Sequence, residues 1–203
     1  MKLTQQLLID AVNKSIENAG QLIEEAKILF ESKRFARAYT LYQLSIEEVG
    51  KASMTFGFLL SDGFEDEKKQ KQFFRDFRDH KFKTVKATGI DYIIARSIDN
   101  KEISKVLVSN MLKQQNTVEE INNTKNYSLY TSLFDEKFFL PSEMISEEMA
   151  DDLGFYALIR HSAAKQLYGL AIQELSNLRE ATKEMNIDKF IDEESSTLAD
   201  LMK

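Results

Sequence analysis

The sequence predicts an all-α protein, and two observations support this. The 203 residues include one proline and seven glycines, so few residues interrupt a helix. In the long stretches between them, apolar residues recur every three to four positions, which is the period of one helix face. The composition, 43% hydrophobic and 30% charged residues, is that of a globular protein. We therefore predict a single domain spanning residues 1–203.

Two long helices are predicted at the start of the chain. The first begins near Leu3 and ends between Glu31 and Lys33. The second runs from Phe35 to Leu59 and stops before a Ser-Asp-Gly turn signal. The link between them is short, so we expect an antiparallel helical hairpin.

A third helix is predicted from Asp66 to about Lys86, with a continuation after Gly89. Residues 100–126 are polar, helical and weakly patterned. The segment at 127–141, YSLYTSLFDEKFFLP, has two runs of aromatic β-formers around an Asp-Glu pair, which predicts a small hairpin or an extended loop.

The C-terminal part of the chain is predicted to be helical again. Ser146 has the position of an N-cap, with Glu147 and Glu148 in the first turn, and a long helix follows through Leu178. The acidic stretch at 186–203 is expected to form a short, loosely packed helix.

Several protein classes are excluded by composition. No apolar run approaches the roughly 18 residues of a membrane span, and the first residues lack the features of a secretory signal, so we expect a cytoplasmic protein that makes no contact with membranes. The absence of cysteine excludes disulfides, thiolate nucleophiles and Cys-ligated zinc, and two distant histidines offer little for a metal. Neither a metal site nor another cofactor is expected.

Positive charge is concentrated in the predicted third helix, around the stretch FRDFRDHKFK at 74–83. Residues 68–86 carry eight cations and two acids. Their net charge of +6 in a chain of net −6 leaves −12 for the rest. Such segregation suits an anionic partner such as RNA. The alternative is a solvated helix face whose lysines balance acids elsewhere.

On one continuous helix, Arg75 and His80 would border a polar sector that also holds Asp76, Asp79 and Lys83, with Phe77 facing the core. Asp76, one turn back, is the expected carboxylate partner of His80. Histidine exchanges protons near neutral pH and arginine presents a planar fork to phosphate. These are the two roles needed to cleave RNA without metal. A symmetric second helix would complete such a site better than one helix alone.

The pattern Arg75-Asp76-x-x-x-His80 matches the R-x4-6-H signature of the HEPN superfamily. Further stretches make the match more specific. They are Asn18-Ala19, Ala26, Leu29, Phe35, Ala38, Leu41, the E-E-x-G-K pattern within 45–51, Phe74-x-x-Phe77-x-x-His80-x-x-Lys83, Leu129-Tyr130 and Pro141. Over residues 15–165 the chain resembles the AbiV family of abortive infection proteins.

The resemblance implies a HEPN-like helical bundle that acts in bacterial antiphage defence. It implies a homodimer with an RNA-cleaving site at its interface, which a phage-encoded protein triggers and which shuts down translation. Arg75 and His80 match the catalytic pair, and Asp76 matches the accessory polar position. The alternative is a remnant site in a non-catalytic dimer that blocks translation or phage development by binding a phage or ribosomal protein.

The E-E-x-G-K stretch adds supporting residues. Glu47 and Lys51 are an i, i+4 pair, which by itself predicts a surface ion pair. Glu48, at the edge of the apolar face, is expected to bind Arg75 or Lys83. Gly50 inside a helix indicates close approach of a neighbouring helix.

The remaining candidates fall into three groups. Lys51, Lys83 and Asp79 are predicted, with Glu48, to support the site. Four further cations are expected to bind RNA, namely Lys71, Arg78, Lys81 and Lys86. Arg160 and His161, which have no patterned neighbours, are predicted to be structural.

Overall fold

Two long helices form the antiparallel hairpin that was predicted. The structure, a computed structural model, describes residues 3–61 and 66–184. Helix α1 (Gln5–Glu31) is capped by Thr4, whose side chain accepts from the amide of Leu7. It turns at Lys33, which has a φ of 57°, into α2 (Phe35–Leu60). The predicted bounds of both helices are confirmed.

The predicted third helix is divided, and the prediction of one continuous helix was wrong. Helix α3 (Glu67–Asp76) ends before α4 (His80–Ala87) begins, and α5 (Gly89–Ser97) follows at once. The Asp-Gly pair of the preceding turn signal lies outside the described residues.

The polar middle of the chain forms α6 (Lys101–Asn116) and α7 (Val118–Leu129), as predicted. A hairpin follows, in which β1 (Ser132–Phe134) pairs antiparallel with β2 (Lys137–Phe139). Both turn residues have positive φ, 46° at Asp135 and 63° at Glu136, which is the geometry of tight hairpin turns. Of the two predicted alternatives, the hairpin is therefore correct.

The C-terminal part begins with the short α8 (Pro141–Met144) and the long α9 (Glu147–Gln173). Ser146 caps α9 by accepting from the amide of Met149 at 3.2 Å, as predicted. The helix stops at Glu174, and α10 (Leu175–Glu184) is separate, so the expected continuation through Leu178 was wrong. The helix predicted at 186–203 lies outside the described residues.

Helix α2 is central, because it packs against α1, α4, α7 and α9. Small and aliphatic side chains fill the contact between these helices, and the buried ones include Val12, Ala19, Ile23, Ile46, Val49, Ala52, Leu59, Ala157 and Ala164. The predicted all-α class is confirmed. Within the described ranges, no helix is both long enough and apolar enough to cross a bilayer.

Candidate functional site

The candidate site is built around the break between α3 and α4. Asp79 ends the break as the N-cap of α4, because its side chain accepts from the amide of Phe82 at 3.1 Å. Aspartate is among the preferred N-cap residues. As a result Arg75 is in the last turn of α3 and His80 is the first residue of α4. The sector expected on one helix therefore does not form, and the two residues belong to different helices.

His80 is held by a buried carboxylate from α2. Its Nδ1 lies 2.5 Å from Oε2 of Glu47. The Glu47 side chain is 3% exposed, whereas the imidazole is 55% exposed. A carboxylate oxygen accepts, so Nδ1 donates and the neutral ring would carry its electron pair on Nε2. The carboxylate expected for this role, Asp76, was the wrong one.

Two buried lysines share the same carboxylate. Lys125 of α7 places Nζ 2.8 Å from Oε1 of Glu47, and Lys83 of α4 places Nζ 3.3 Å from Oε2. We call Glu47, Lys83, Lys125 and His80 the Glu47 cluster. Two ammonium groups face one carboxylate, so the cluster has an excess positive charge even when His80 is neutral. Three elements of the fold, α2, α4 and α7, thus meet at one carboxylate.

Gly50 allows α4 to approach α2 beside this cluster. A Cβ at Gly50 would lie 1.9 Å from the carbonyl oxygen of Lys83. Near this contact Gln43 donates to Oγ1 of Thr84 at 3.0 Å, and Thr84 donates to the carbonyl of His80 at 3.1 Å. The close approach predicted from Gly50 is confirmed, and it sets the position of His80.

Arg75 and Asp76 form a separate group on α3 with Gln72. The guanidinium donates to the Gln72 side chain, and Gln72 in turn donates to Oδ1 of Asp76 at 2.6 Å. Nε of Arg75 is 3.9 Å from the same carboxylate oxygen, and the Arg75 side chain is 75% exposed. The arginine is thus oriented by its own helix and remains open to solvent.

The four predicted RNA-binding cations have different environments. Lys71, Arg78 and Lys86 are exposed. Arg78 donates through Nε to the carbonyl of Phe74 at 3.0 Å, and Lys86 lies over the ring of Phe82. Lys81 binds Glu119 of α7. Part of the positive charge of this segment is therefore matched by acids from elsewhere in the fold.

A cavity of about 340 Å³ lies next to Asp76. Its lining includes three phenylalanines, Phe58, Phe73 and Phe82, and two lysines, Lys69 and Lys86. Aromatic faces beside cations are the elements with which proteins bind single-stranded nucleic acid.

Comparison with protein families decides the assignment of the fold. The model of the HEPN-domain family AbiV matches residues 7–160, well over half of the 203 residues. The chain belongs to the AbiV family. Neither the curated proteins nor the solved structures contain a match to it. The predicted resemblance is confirmed, and the matched AbiV region contains both the R-x4-H segment and every residue of the Glu47 cluster.

The contacts of the E-E-x-G-K residues in this AbiV domain show that two of the predictions were wrong. Lys51 binds Glu48, one turn earlier, and not Glu47. Glu47 is buried and is not part of a surface pair. Glu48 was expected to bind Arg75 or Lys83, and it binds neither. The reason is the rotation of α2, which turns Glu47 toward α4 and α7. Lys51 also lies over the ring of Phe77, with 5.5 Å between Nζ and the ring centre.

Sequence reasoning missed two residues of the site, Glu47 and Lys125. A signal existed for Glu47, because it is three positions before Gly50 and therefore on the face where close approach was predicted. Lys125 had no comparable signal, since its helix is weakly patterned and its partner is 78 positions away.

Arg160 and His161 occupy packing positions, which agrees with the structural role predicted for them. Arg160 donates to both carboxylate oxygens of Asp91, at 2.8 and 2.5 Å, and to Gln114 at 2.7 Å. His161 lies with Nε2 3.1 Å from the carbonyl oxygen of Ile16. Burial lowers the pKa of His161; the Ile16 carbonyl raises it, nearby Lys165 lowers it and Glu24 raises it, and the net shift is downward.

Proposed function

We propose that this AbiV protein is a metal-independent ribonuclease that stops translation in phage-infected cells. The observation that carries the proposal is the half-exposed imidazole of His80, held through Nδ1 by the buried carboxylate of Glu47. A histidine oriented in this way, with its second nitrogen available to a ligand, is suited to general acid–base catalysis.

The proposed reaction uses the groups at the site. Nε2 of neutral His80 takes the proton from a ribose 2′-hydroxyl, and the 2′-oxygen forms a bond to the adjacent phosphorus. The bond between phosphorus and the 5′-oxygen breaks, its electron pair stays on that oxygen, and the oxygen takes up a proton. The products are a 2′,3′-cyclic phosphate and a 5′-hydroxyl. Glu47 keeps the imidazole in place and stabilises the imidazolium that forms.

Arg75 is assigned the role of stabilising the negative charge that develops on the non-bridging oxygens of the phosphate. Its guanidinium is exposed and oriented by Gln72 and Asp76, and a planar guanidinium can bind two phosphate oxygens at once. Exposed Lys71, Arg78 and Lys86 would bind the RNA backbone, and the aromatic cavity beside Asp76 would take a base.

The catalytic unit is proposed to be a homodimer. Arg75 and His80 lie on different helices and are held by different partners. In a homodimer, a second copy of the segment would add another Arg75 and another His80 around one phosphate. One histidine would then act as the base and the other would protonate the leaving oxygen. A phage-encoded protein is proposed to trigger this dimer, since a constitutive ribonuclease would poison its host.

A second candidate function is inhibition by binding alone. It is favoured by the neutralised cations, because Lys81 binds Glu119 and Lys83 binds Glu47. In this case the dimer would block a phage or ribosomal protein by binding to it. The R-x4-H segment would be a remnant that shapes the contact surface.

The two functions are separated by His80→Ala and Arg75→Ala in infected cells at matched soluble expression. We expect both variants to lose phage protection and RNA fragmentation, and purified His80→Ala to cleave about 10²–10⁴-fold more slowly. Chelator should not affect the wild type, and fragments should end in cyclic phosphate. His161→Gln, which changes the other histidine, is the matched control and should protect. Protection with intact RNA in His80→Ala would favour binding alone.

A further inference from the structure

Lys125 is outside the R-x4-H segment, yet it binds the carboxylate that holds His80. Its Nζ lies 2.8 Å from Oε1 of Glu47, while Nδ1 of His80 lies 2.5 Å from Oε2. The two groups therefore use different oxygens of one carboxylate. Lys83 is 3.3 Å from Oε2 and is thus on the same side as His80. Of the two lysines, Lys125 alone holds the oxygen that the imidazole leaves free.

The backbone that carries Lys125 is fastened to α2 and α4 on both sides of it. Toward the C-terminus, Ser128 shares a 2.7 Å hydrogen bond with Thr40 and also donates to the carbonyl of Lys125 at 2.6 Å. Arg37 donates to the carbonyl of Leu129 at 2.7 Å. Toward the N-terminus, Glu119 binds Lys81 of α4. The backbone position from which Lys125 reaches Glu47 is therefore fixed. A long lysine side chain on an open surface, by contrast, has many conformations.

We propose that Lys125 is a positioning residue for His80. By binding Oε1, it turns the Glu47 carboxylate so that Oε2 faces Nδ1. The imidazole is then fixed as the tautomer with hydrogen on Nδ1, and Nε2 is the nitrogen that faces the substrate. The part of this proposal that concerns catalysis rests on the ribonuclease function proposed above.

The geometry gives a reason why a second contact is needed. A carboxylate that is held through one oxygen, as His80 and Lys83 hold Oε2 of Glu47, can still rotate about its terminal bond, because that torsion angle has no narrow minima. A donor on the other oxygen restricts that rotation. Groups that orient a catalytic or metal-binding histidine in this indirect way typically affect activity by about 10–100-fold.

The test is a direct reading of the His80 tautomer in the full chain without RNA. The sequence has two histidines, so long-range ¹H–¹⁵N correlation at alkaline pH, with His161→Gln for assignment, gives the protonated nitrogen of each ring. We expect His80 to carry hydrogen on Nδ1 in the wild type. Lys125→Met should give a mixture of both tautomers, and Lys125→Arg should restore the Nδ1 form. Lys101→Met, which replaces an exposed lysine of α6 outside the Glu47 cluster, is the matched control and should keep the wild-type tautomer.

Cleavage kinetics provide the second reading. In Lys125→Met we expect kcat to fall by about 10–100-fold and KM to stay near the wild-type value. If the methionine variant does not fold, Lys125→Gln takes its place, since it is polar and shorter.

A wild-type tautomer in the folded Lys125 variant would overturn the proposal. So would a wild type whose hydrogen lies on Nε2. A wild type that cleaves no RNA, but whose tautomer still depends on Lys125, would refute the ribonuclease and leave the positioning of His80 by Lys125 in place.

Discussion

Two buried clusters of charged residues in this protein differ in their balance of positive and negative groups. Between α5 and α9, Arg160 and Asp91 form a one-to-one ion pair. The Arg160 guanidinium also donates a hydrogen bond to the side chain of Gln114. In the Glu47 cluster, two ammonium groups and an imidazole share one carboxylate, and the imidazole is half exposed. The first cluster is closed and balanced, whereas the second has excess positive charge and an opening to solvent.

The difference shows how a structural charge pair is distinguished from a candidate site. Burial alone does not separate them, because Asp91 and Glu47 are both deeply buried. What separates them is whether every charged group already has its counter-charge. Arg160 is buried, and its charge is matched one to one by Asp91 within the fold. His80 has one nitrogen bound and faces solvent.

The largest stability effect is expected when the balanced pair is broken. Asp91→Asn would leave the guanidinium of Arg160 buried without a counter-charge, and we expect the free energy of unfolding to fall by about 3–5 kcal/mol. Urea unfolding followed by circular dichroism measures this. At a temperature where the variant stays folded, His80 should keep its wild-type tautomer.

The matched control replaces both partners. Asp91→Leu with Arg160→Met leaves no uncompensated charge, so the pair of substitutions should be less destabilising than Asp91→Asn alone. A single variant as stable as the wild type would show that this pair contributes nothing to the fold.

A smaller effect is expected where α4 docks beside the Glu47 cluster. In Gly50→Ala the new Cβ would meet the carbonyl oxygen of Lys83 at 1.9 Å, and this backbone atom moves only with α4. We expect a loss of about 1–3 kcal/mol from overpacking, together with a change in the His80 tautomer.

Gly57→Ala on the same helix is the control, since a Cβ there would meet nothing within 4 Å. It should stabilise α2 by up to about 1 kcal/mol through helix propensity. Equal stabilities for the two alanine variants would contradict close packing at Gly50.

The smallest effect concerns the other histidine, and it appears in the pH dependence of stability. Because the pKa of His161 is lowered by burial, the unfolded chain binds its proton more readily. The free energy of unfolding should therefore fall as pH decreases from the ordinary value of 6.5 to the lowered folded value.

His161→Gln should flatten this slope, whereas Gln21→Ala, in the same groove between α1 and α9, should keep it. Thermal unfolding between mildly acidic and neutral pH measures both. An unchanged slope in His161→Gln would contradict the direction of the pKa shift.

Local patterns were sufficient for most of the helices. The spacing of apolar residues predicted α1 and α2, and the Ser146 cap predicted the start of α9, because these features depend on hydrogen bonds and side-chain faces within a few residues. The break before His80 was missed, since apolar and charged residues continue through it with helical spacing. The side chain of Asp79 caps α4, and this hydrogen bond competes with continuation of α3. The spacing of apolar residues gives no information about that competition.

By itself the sequence determined the all-α class, the AbiV family, the segment that carries Arg75 and His80, and the close contact at Gly50. Only the tertiary structure decided the partner of His80, because Glu47 is 33 positions from His80 and 78 from Lys125. Which of two adjacent glutamates faces inward depends on the rotation of α2 against α4 and α7. That rotation is set by the packing of whole helices, whereas sequence spacing specifies only the face within each helix.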